Sequence, residues 1–468
     1  MQRKEQEDKL RLLKENLSAA GFFAQQGEVT QAAIFEAVNT SLFPNCFDNN
    51  QDAQYVVTNI PPPPNAINLP PLPIETASPR FRLRQDEAII LLGKTPPECK
   101  YFSITPYLYE RYFEENLKYE EVFDSLHDPL NNTVIKTSKP GSSFRASTVI
   151  VMTSDKGTWK RVKACLEGAG FDDTLINKSV VPSHILRMGL DFEDDVFMCL
   201  FRFYGSKEPD GLKTYWGDVG QQMSVLRVTP QTPVPEEELS PLPMPELRVR
   251  GTGQTEMELM PVMEKLRAAI LETFTGNDPD NPYKGWKATE YTTDQWLEEG
   301  LQAIQANKNM FGENRDVAYM CTRPFTMYDN EFIVIYGVDH TKTQKAAYCS
   351  TAVYGLTYYN GIAGSNSISY GTWPDSAKKY LEDEPAADKF FVQTACRESH
   401  LPPLKNPSFT VPTAIDTSGV QKFKPLFVGF RNYLEQATKS GPIPEELISP
   451  RVIKFSKPAY PFVKPMLV

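Results

Sequence analysis

An α+β fold made of two similar halves, with mostly antiparallel sheets and flanking helices, is what this sequence predicts, on three observations. Short apolar runs of strand length recur along the chain and are joined mostly by loops, which argues against a doubly wound parallel sheet. Five of these runs return in the same order in the second half. A proline-rich stretch from Pro230 to Pro245, with Glu236, Glu237 and Glu238 inside it, divides the chain near its middle and has the composition of a linker.

From the N-terminus, residues 4–45 predict helix, with Leu10, Leu13 and Leu17 on one stripe and Thr30 placed to cap a second helix carrying Ile34 and Val38. Residues 1–60 thus form a helical appendage. Pro61 to Pro64 and then Pro70, Pro71, Pro73 and Pro79 make 61–80 an extended strap, because proline donates to neither helix nor sheet. The first half occupies 81–230, and the linker 231–250. A helical segment follows at 251–315, where Leu259, Met263, Leu266, Ile270 and Phe274 share a face and Asp294 caps a helix bearing Leu297, Leu301 and Ile304. The second half is 316–468.

The repeat rests on five matches. Glu87-Ala-Ile-Ile-Leu-Leu-Gly93 parallels Glu331-Phe-Ile-Val-Ile-Tyr-Gly337. Lys100 to Tyr109 parallels Lys345 to Tyr354, and Val149 to Ser154 parallels Phe390 to Ala395. Phe201-Arg202-Phe203-Tyr204 parallels Phe430-Arg431-Asn432-Tyr433, and a last strand holds Arg227 in one half and Arg451 in the other. Similar strands recur in any β-rich protein, but shared Glu, Gly, Lys, Tyr and Phe-Arg-x-Tyr positions do not follow from strand propensity. Between the third and fourth matches Asp155 caps a helix that ends at Gly168 and Gly170.

Composition narrows function. The 468 residues, 41% hydrophobic and 23% charged, are those of a folded chain of two or three domains. Forty-nine basic against 59 acidic residues give a net charge of -10, so no broad basic surface exists for nucleic acid. No apolar run approaches the roughly 18–20 residues of a membrane span, and none implies a transmembrane segment. The chain reads as soluble, with the cytoplasm favoured and secretion open only to a leader preceding residue 1. Seven scattered cysteines without a C-x-x-C pair suggest buried free thiols.

No cofactor is implied. Gly93-Lys94-Thr95 lacks the first glycine of a phosphate loop, and Pro96-Pro97 blocks the helix that would hold the phosphate. Gly251-Thr-Gly253 lacks the third glycine of a dinucleotide fingerprint. Asn277 to Asn281 has prolines where a calcium loop needs none. There is no G-x-S-x-G; Ser376-Ala-Lys-Lys379 is read as a solvated helix face, Ser365 and Ser367 as turn residues, and Cys396 with His400 as a weak dyad.

Three features remain. Asp339-His340 falls in a strand-connecting loop where the first half has Lys94-Thr95-Pro96, and an imidazole beside a carboxylate suits proton transfer near neutral pH. Arg202 and Arg431 each lie in an apolar strand, where a guanidinium needs a partner. The sequence therefore leads to an enzyme acting on a small, anionic substrate in a cleft between the halves, a hydrolase before other classes. His340 and Asp339 are the catalytic candidates, and Arg202, Arg431, Tyr109 and Tyr354 the substrate-binding ones. The alternative is a non-catalytic binding or interaction module using the same cleft or the proline-rich segments. Oligomeric state is left open.

Overall fold

The structure, a computed structural model, describes residues 2–41, 43–64, 77–206, 208–368, 373–397 and 408–457. The chain opens with α1 (Gln2–Ala19), β1 (Phe22–Gln26), β2 (Glu28–Gln31), α2 (Ile34–Asn39) and β3 (Gln54–Asn59). Next come β4 (Ala88–Lys94), β5 (Cys99–Phe113), β6 (Lys118–Ser125), β7 (Leu130–Asn131) and β8 (Ser147–Thr153). After these lie α3 (Lys156–Gly168), β9 (Ile176–Val180), β10 (Val196–Ser206), α4 (Pro209–Gly217), α5 (Val219–Gln222) and β11 (Met223–Pro230). The second part holds α6 (Met260–Thr275), β12 (Lys287–Tyr291), β13 (Thr293–Gln295), α7 (Gly300–Gln305), β14 (Val317–Thr322) and β15 (Glu331–Val338). It ends with β16 (Tyr348–Gly355), β17 (Asn360–Asn366), β18 (Phe390–Cys396), β19 (Ser408–Thr410), β20 (Leu426–Tyr433) and β21 (Arg451–Ser456).

These elements form two units of mixed α+β structure. Unit 1 comprises Met1–Ala33, Asp52–Val249 and Glu298–Asp316. Its sheets run β1-β11-β4-β8-β9 and β2-β3-β10-β5-β6, with β7 beside β5. Period-two alternation sends Ile89 and Leu91 of β4 into the core with Phe102, Ile104, Phe201 and Phe203. Ile90 and Leu92 point the other way, under Leu13 and Leu17 of α1 and Val162 and Leu166 of α3. Both faces of β4 are covered, which explains its unbroken apolar run. The Asp155 carboxylate caps α3, accepting from Thr158 N at 2.7 Å.

Unit 2 comprises Ile34–Gln51, Arg250–Leu297 and Val317–Val468. Its sheets run β12-β21-β15-β18-β19 and β13-β14-β20-β16-β17. α6 turns Met263, Leu266, Ile270 and Phe274 onto Phe332, Val334, Ile453 and Phe455, while Ile333 and Ile335 face Val428 and Phe430 on the other side.

Taken from the first strand of each, the sheets of the two units have the same strand order, and β8 with β9 and β18 with β19 are both parallel edge pairs in otherwise antiparallel sheets. Side-chain bonds agree with that order. Glu87 accepts from Arg84 N, Arg227 and Thr229, and Glu331 from Tyr328 N, Lys454 and Ser456. Lys454 therefore stands where Arg227 does. Arg451, the residue aligned with Arg227 by sequence, instead pairs with Glu264 at 2.7 Å.

Other local readings differ. Phe22–Gln26 and Glu28–Gln31, inside the stretch predicted helical, are strands whose partners are β11 and β3; tertiary pairing outweighs a helical stripe that is firm only through Leu17. Asp294 lies in β13 opposite Cys321 rather than capping a helix, and Glu299 precedes α7. In the proline-rich strap Pro61–Pro64 carry no helix or strand, and residues 65–76 lie outside the described residues. Beyond Pro230 there is a 3-10 turn at Glu236–Glu238 and a bridge between Asp155 and Pro241. Val249 and Arg250 mark one of the five points at which the chain passes between the units. Among the described residues no helix is long and apolar enough to cross a membrane.

Candidate functional site

Arg202 and Arg431 occupy equivalent places, opposite Ser103 of β5 and Ser350 of β16. Both are buried, and each spends its donors on protein oxygens of its own unit. Arg202 donates to the Tyr107 hydroxyl at 2.5 Å and to the Gly312 carbonyl. Arg431 donates to the Tyr354 hydroxyl and the Asp48 carbonyl, and lies over the rings of Trp296, Tyr319 and Tyr354. The register makes Tyr107, not Tyr109, the counterpart of Tyr354. Burial pushes the Tyr107 hydroxyl up beyond its usual range, so it stays a neutral acceptor for the guanidinium.

His340 is not an exposed loop residue. It is 2% exposed, and its Nδ1 lies 2.8 Å from Glu256 Oε1. Glu256 also accepts from Thr343 Oγ1 and from Ile448 N at 2.9 Å. Burial would raise the Glu256 carboxyl, but His340 and these donors hold it below its ordinary value. The Asp339 carboxylate accepts from Thr341 N and Oγ1 in a local turn. Beside this pair Lys345 Nζ bridges Glu435 at 3.0 Å and Glu446 at 2.5 Å. The Thr95 N and Asp339 N bonds, to Ala146 O and Lys389 O, place Pro96 where unit 2 has His340. Replacing so buried a histidine would cost fold stability, contrary to what a surface loop implies.

Tyr109 leads elsewhere. The pairing of β16 with β17 ends at Gly355 opposite Asn360, whereas β5 and β6 continue through a bulge to Glu110 opposite Glu121 and on to Phe113 opposite Lys118. Tyr109 lies at this bulge, and burial with the nearby carboxylates of Glu110 and Glu121 raises its hydroxyl well above the ordinary value, against Arg80. Arg80 donates to Glu110 Oε1 at 3.2 Å, while Glu110 Oε2 is buried without a hydrogen bond. Burial, then repulsion by Glu110, pushes Glu121 up to about 7. Burial also raises Glu110, against the pull of Arg80. Unlike the buried arginines and His340, Glu121 and Arg80 are only partly covered.

The remaining sequence motifs show structural bonding. Ser376 lies in a turn rather than a helix, its hydroxyl donating to Trp373 O and accepting from Val392 N. Ser365 accepts from the Trp373 indole. His400 lies outside the described residues. The seven cysteines are free, and among the described residues no group of His, Cys, Asp and Glu is arranged to hold a metal ion.

No family model matches the chain, and no curated protein does. Solved structures similar to it include the following two. One is a putative uncharacterized protein from Burkholderia cenocepacia, at 10% identity and TM-score 0.42, over 96% of this chain and 87% of the other. The second is the VPA0106 protein from Vibrio parahaemolyticus, at 10% identity and TM-score 0.35, over 98% of this chain and 100% of the other.

Proposed function

We propose that this chain is an internally duplicated hydrolase whose first half carries an acid–base pair, Glu110 and Glu121, on a hairpin extension that the second half lacks. The observation that carries the reading is the direct cross-strand placement of these two carboxyls beside Arg80 and Tyr109. Carboxyls on facing residues of an antiparallel pair stand on Cβ atoms about 4.5–5.5 Å apart, close enough to act on one bond. Glu121 holds the proton near neutral pH and serves as general acid; Glu110, anchored by Arg80, carries the charge and serves as base or nucleophile. Such a pair titrates as a unit.

An anionic substrate is not part of this reading, because Arg202 and Arg431 direct donors to protein oxygens and the acid pair repels anions. A small neutral substrate whose leaving group needs a proton suits it better. The test is turnover of simple chromogenic esters and glycosides by the wild-type chain and by Glu110→Gln and Glu121→Gln. Hydrolysis of one class by wild type should fall about 100-fold or more in both variants, with the unfolding midpoint kept. Hydrolysis of neither class, or variants as active as wild type, would discard the reading in favour of a non-catalytic binding or interaction module.

A further inference from the structure

Two segments that no strand match includes share a pattern: Asn45-x-Phe47-x-x-Asn50-x-Asp52-x-x-Tyr55 and Asn309-x-Phe311-x-x-Asn314-x-Asp316-x-x-Tyr319. Their backbones agree. Phe47 and Asp48 have φ of 49 and 49, and Phe311 and Gly312 of 51 and 70, a left-handed pair that is costly for phenylalanine. In each, the asparagine two residues earlier accepts from the phenylalanine N–H, at 2.7 and 2.8 Å.

Their surroundings agree as well. Met310 N and Gly312 N donate to Val122 O and Phe123 O, and Cys46 N and Asp48 N to Tyr358 O and Tyr359 O. Asn314 donates to Ser103 Oγ and the Tyr101 hydroxyl, and Asn50 to Ser350 Oγ and the Tyr433 hydroxyl. Glu313 accepts from Ser125 N at 3.1 Å, as Asn49 accepts from Gly361 N at 3.0 Å. The carbonyls of Gly312 and Asp48 take the two arginines. Yet residues 309–315 belong to unit 1 and residues 45–51 to unit 2, each in the unit built mainly from the other half of the sequence.

We infer that these segments are two copies of one docking arm and that each unit carries a socket, centred on Arg202 or Arg431, that takes an Asn-x-Phe-x-x-Asn arm supplied by the opposite half of the sequence. The inference rests on the internal repeat proposed above, though not on the acid pair. A half-sequence is then an incomplete fold, and the partner its socket fits is the arm of the other half. Arginine suits such a socket because its planar fork holds a carbonyl and a hydroxyl together, while the aromatic rings cover its charge.

The experiment uses the full chain with a protease site placed in the exposed turn at Glu236–Glu238, folded first and cut afterwards. The two pieces should co-elute as one particle under native conditions. In the cut chain, Asn50→Ala and Asn314→Ala should each raise the dissociation constant of the pieces at least tenfold, and in the uncut chain each should lower the unfolding midpoint. Separation of the wild-type pieces would overturn the inference, as would co-elution undiminished by either substitution or an effect of only one of them. None of these outcomes bears on turnover by Glu110 and Glu121, which lie outside both arms.

Discussion

Around their equivalent arginines the two units keep one hydrogen-bonding frame and fill it differently. Unit 1 has Ala32, Leu200 and Gly312 where unit 2 has Trp296, Gly429 and Asp48; Ala32 N and Trp296 N donate alike, to Tyr55 O and Tyr319 O. The indole of Trp296 occupies the space above Gly429, where a Cβ would come within 2.6 Å of its ring, and packs on Tyr354 and Phe427 at 5.1 and 5.0 Å. In unit 1 a Cβ at Gly312 would meet the Phe123 ring at 2.8 Å, so a side chain there would require the ring to shift. Bulk sits on the strand at Leu200 in unit 1 and beside it at Trp296 in unit 2, while the polar bonds are alike. Buried polar groups allow few satisfactory arrangements, whereas apolar volume can be redistributed if the total is kept.

The widest predicted gap between the units concerns Glu87, just before β4, and Glu331, at the start of β15. Glu87 and Arg227 are 2.6 Å apart and almost wholly buried, and Glu331 and Lys454 are 3.1 Å apart and partly wet. Arg227 and its companion donors hold Glu87 below its ordinary value despite burial. Glu87→Ala should cost about 3–5 kcal/mol by leaving a buried guanidinium unpaired, and Glu331→Ala about 1 kcal/mol, measured by denaturant unfolding. Because the folded value of Glu87 is depressed, its contribution is present above the ordinary carboxylate range and lost as pH falls through the folded value. Equal costs would remove the distinction.

Exchanging bulk between units gives a smaller effect. Gly429→Leu should cost about 1–3 kcal/mol through overlap with Trp296, and Trp296→Ala in the same chain should recover part of that loss. Additive losses in the double variant would show that the two positions do not share one volume.

Asp48 should give the most distinctive pH profile. Burial raises its carboxyl to about 8, although Arg431 and Trp296 oppose the shift, and Oδ1 has no hydrogen bond. A raised folded value means stability is lost as pH rises from the ordinary carboxylate range through 8. Asp48→Asn, which also tolerates a left-handed backbone, should stabilise the protein progressively as pH rises from that range toward 8, with no gain in acid. A gain independent of pH would mean the carboxyl is already ionised in the folded chain.

Much of this was legible in the chain. Runs such as Ala-Ile-Ile-Leu-Leu at 88–92 are strands because nothing else buries them, Asp155 caps α3 as its spacing requires, and the α6 stripe packs as its period predicts. The site was less so. Glu256, the partner of His340, precedes α6 and carries no local pattern, and Glu110 and Glu121 become a pair only through the register of a bulged hairpin. The repeated Asn-x-Phe-x-x-Asn spacing was visible in principle but falls outside the apolar runs that mark strands.

The sequence by itself determined element type wherever burial imposed a period, along with the absence of phosphate-loop and dinucleotide signatures. Only tertiary structure decided that β1 and β2 are strands, that Lys454 rather than Arg451 answers Arg227, and that each arm belongs to the opposite unit. Periodicity reports which face of a segment is dry. It does not report which neighbour dries it, and a buried charge or carbonyl takes its meaning from that neighbour.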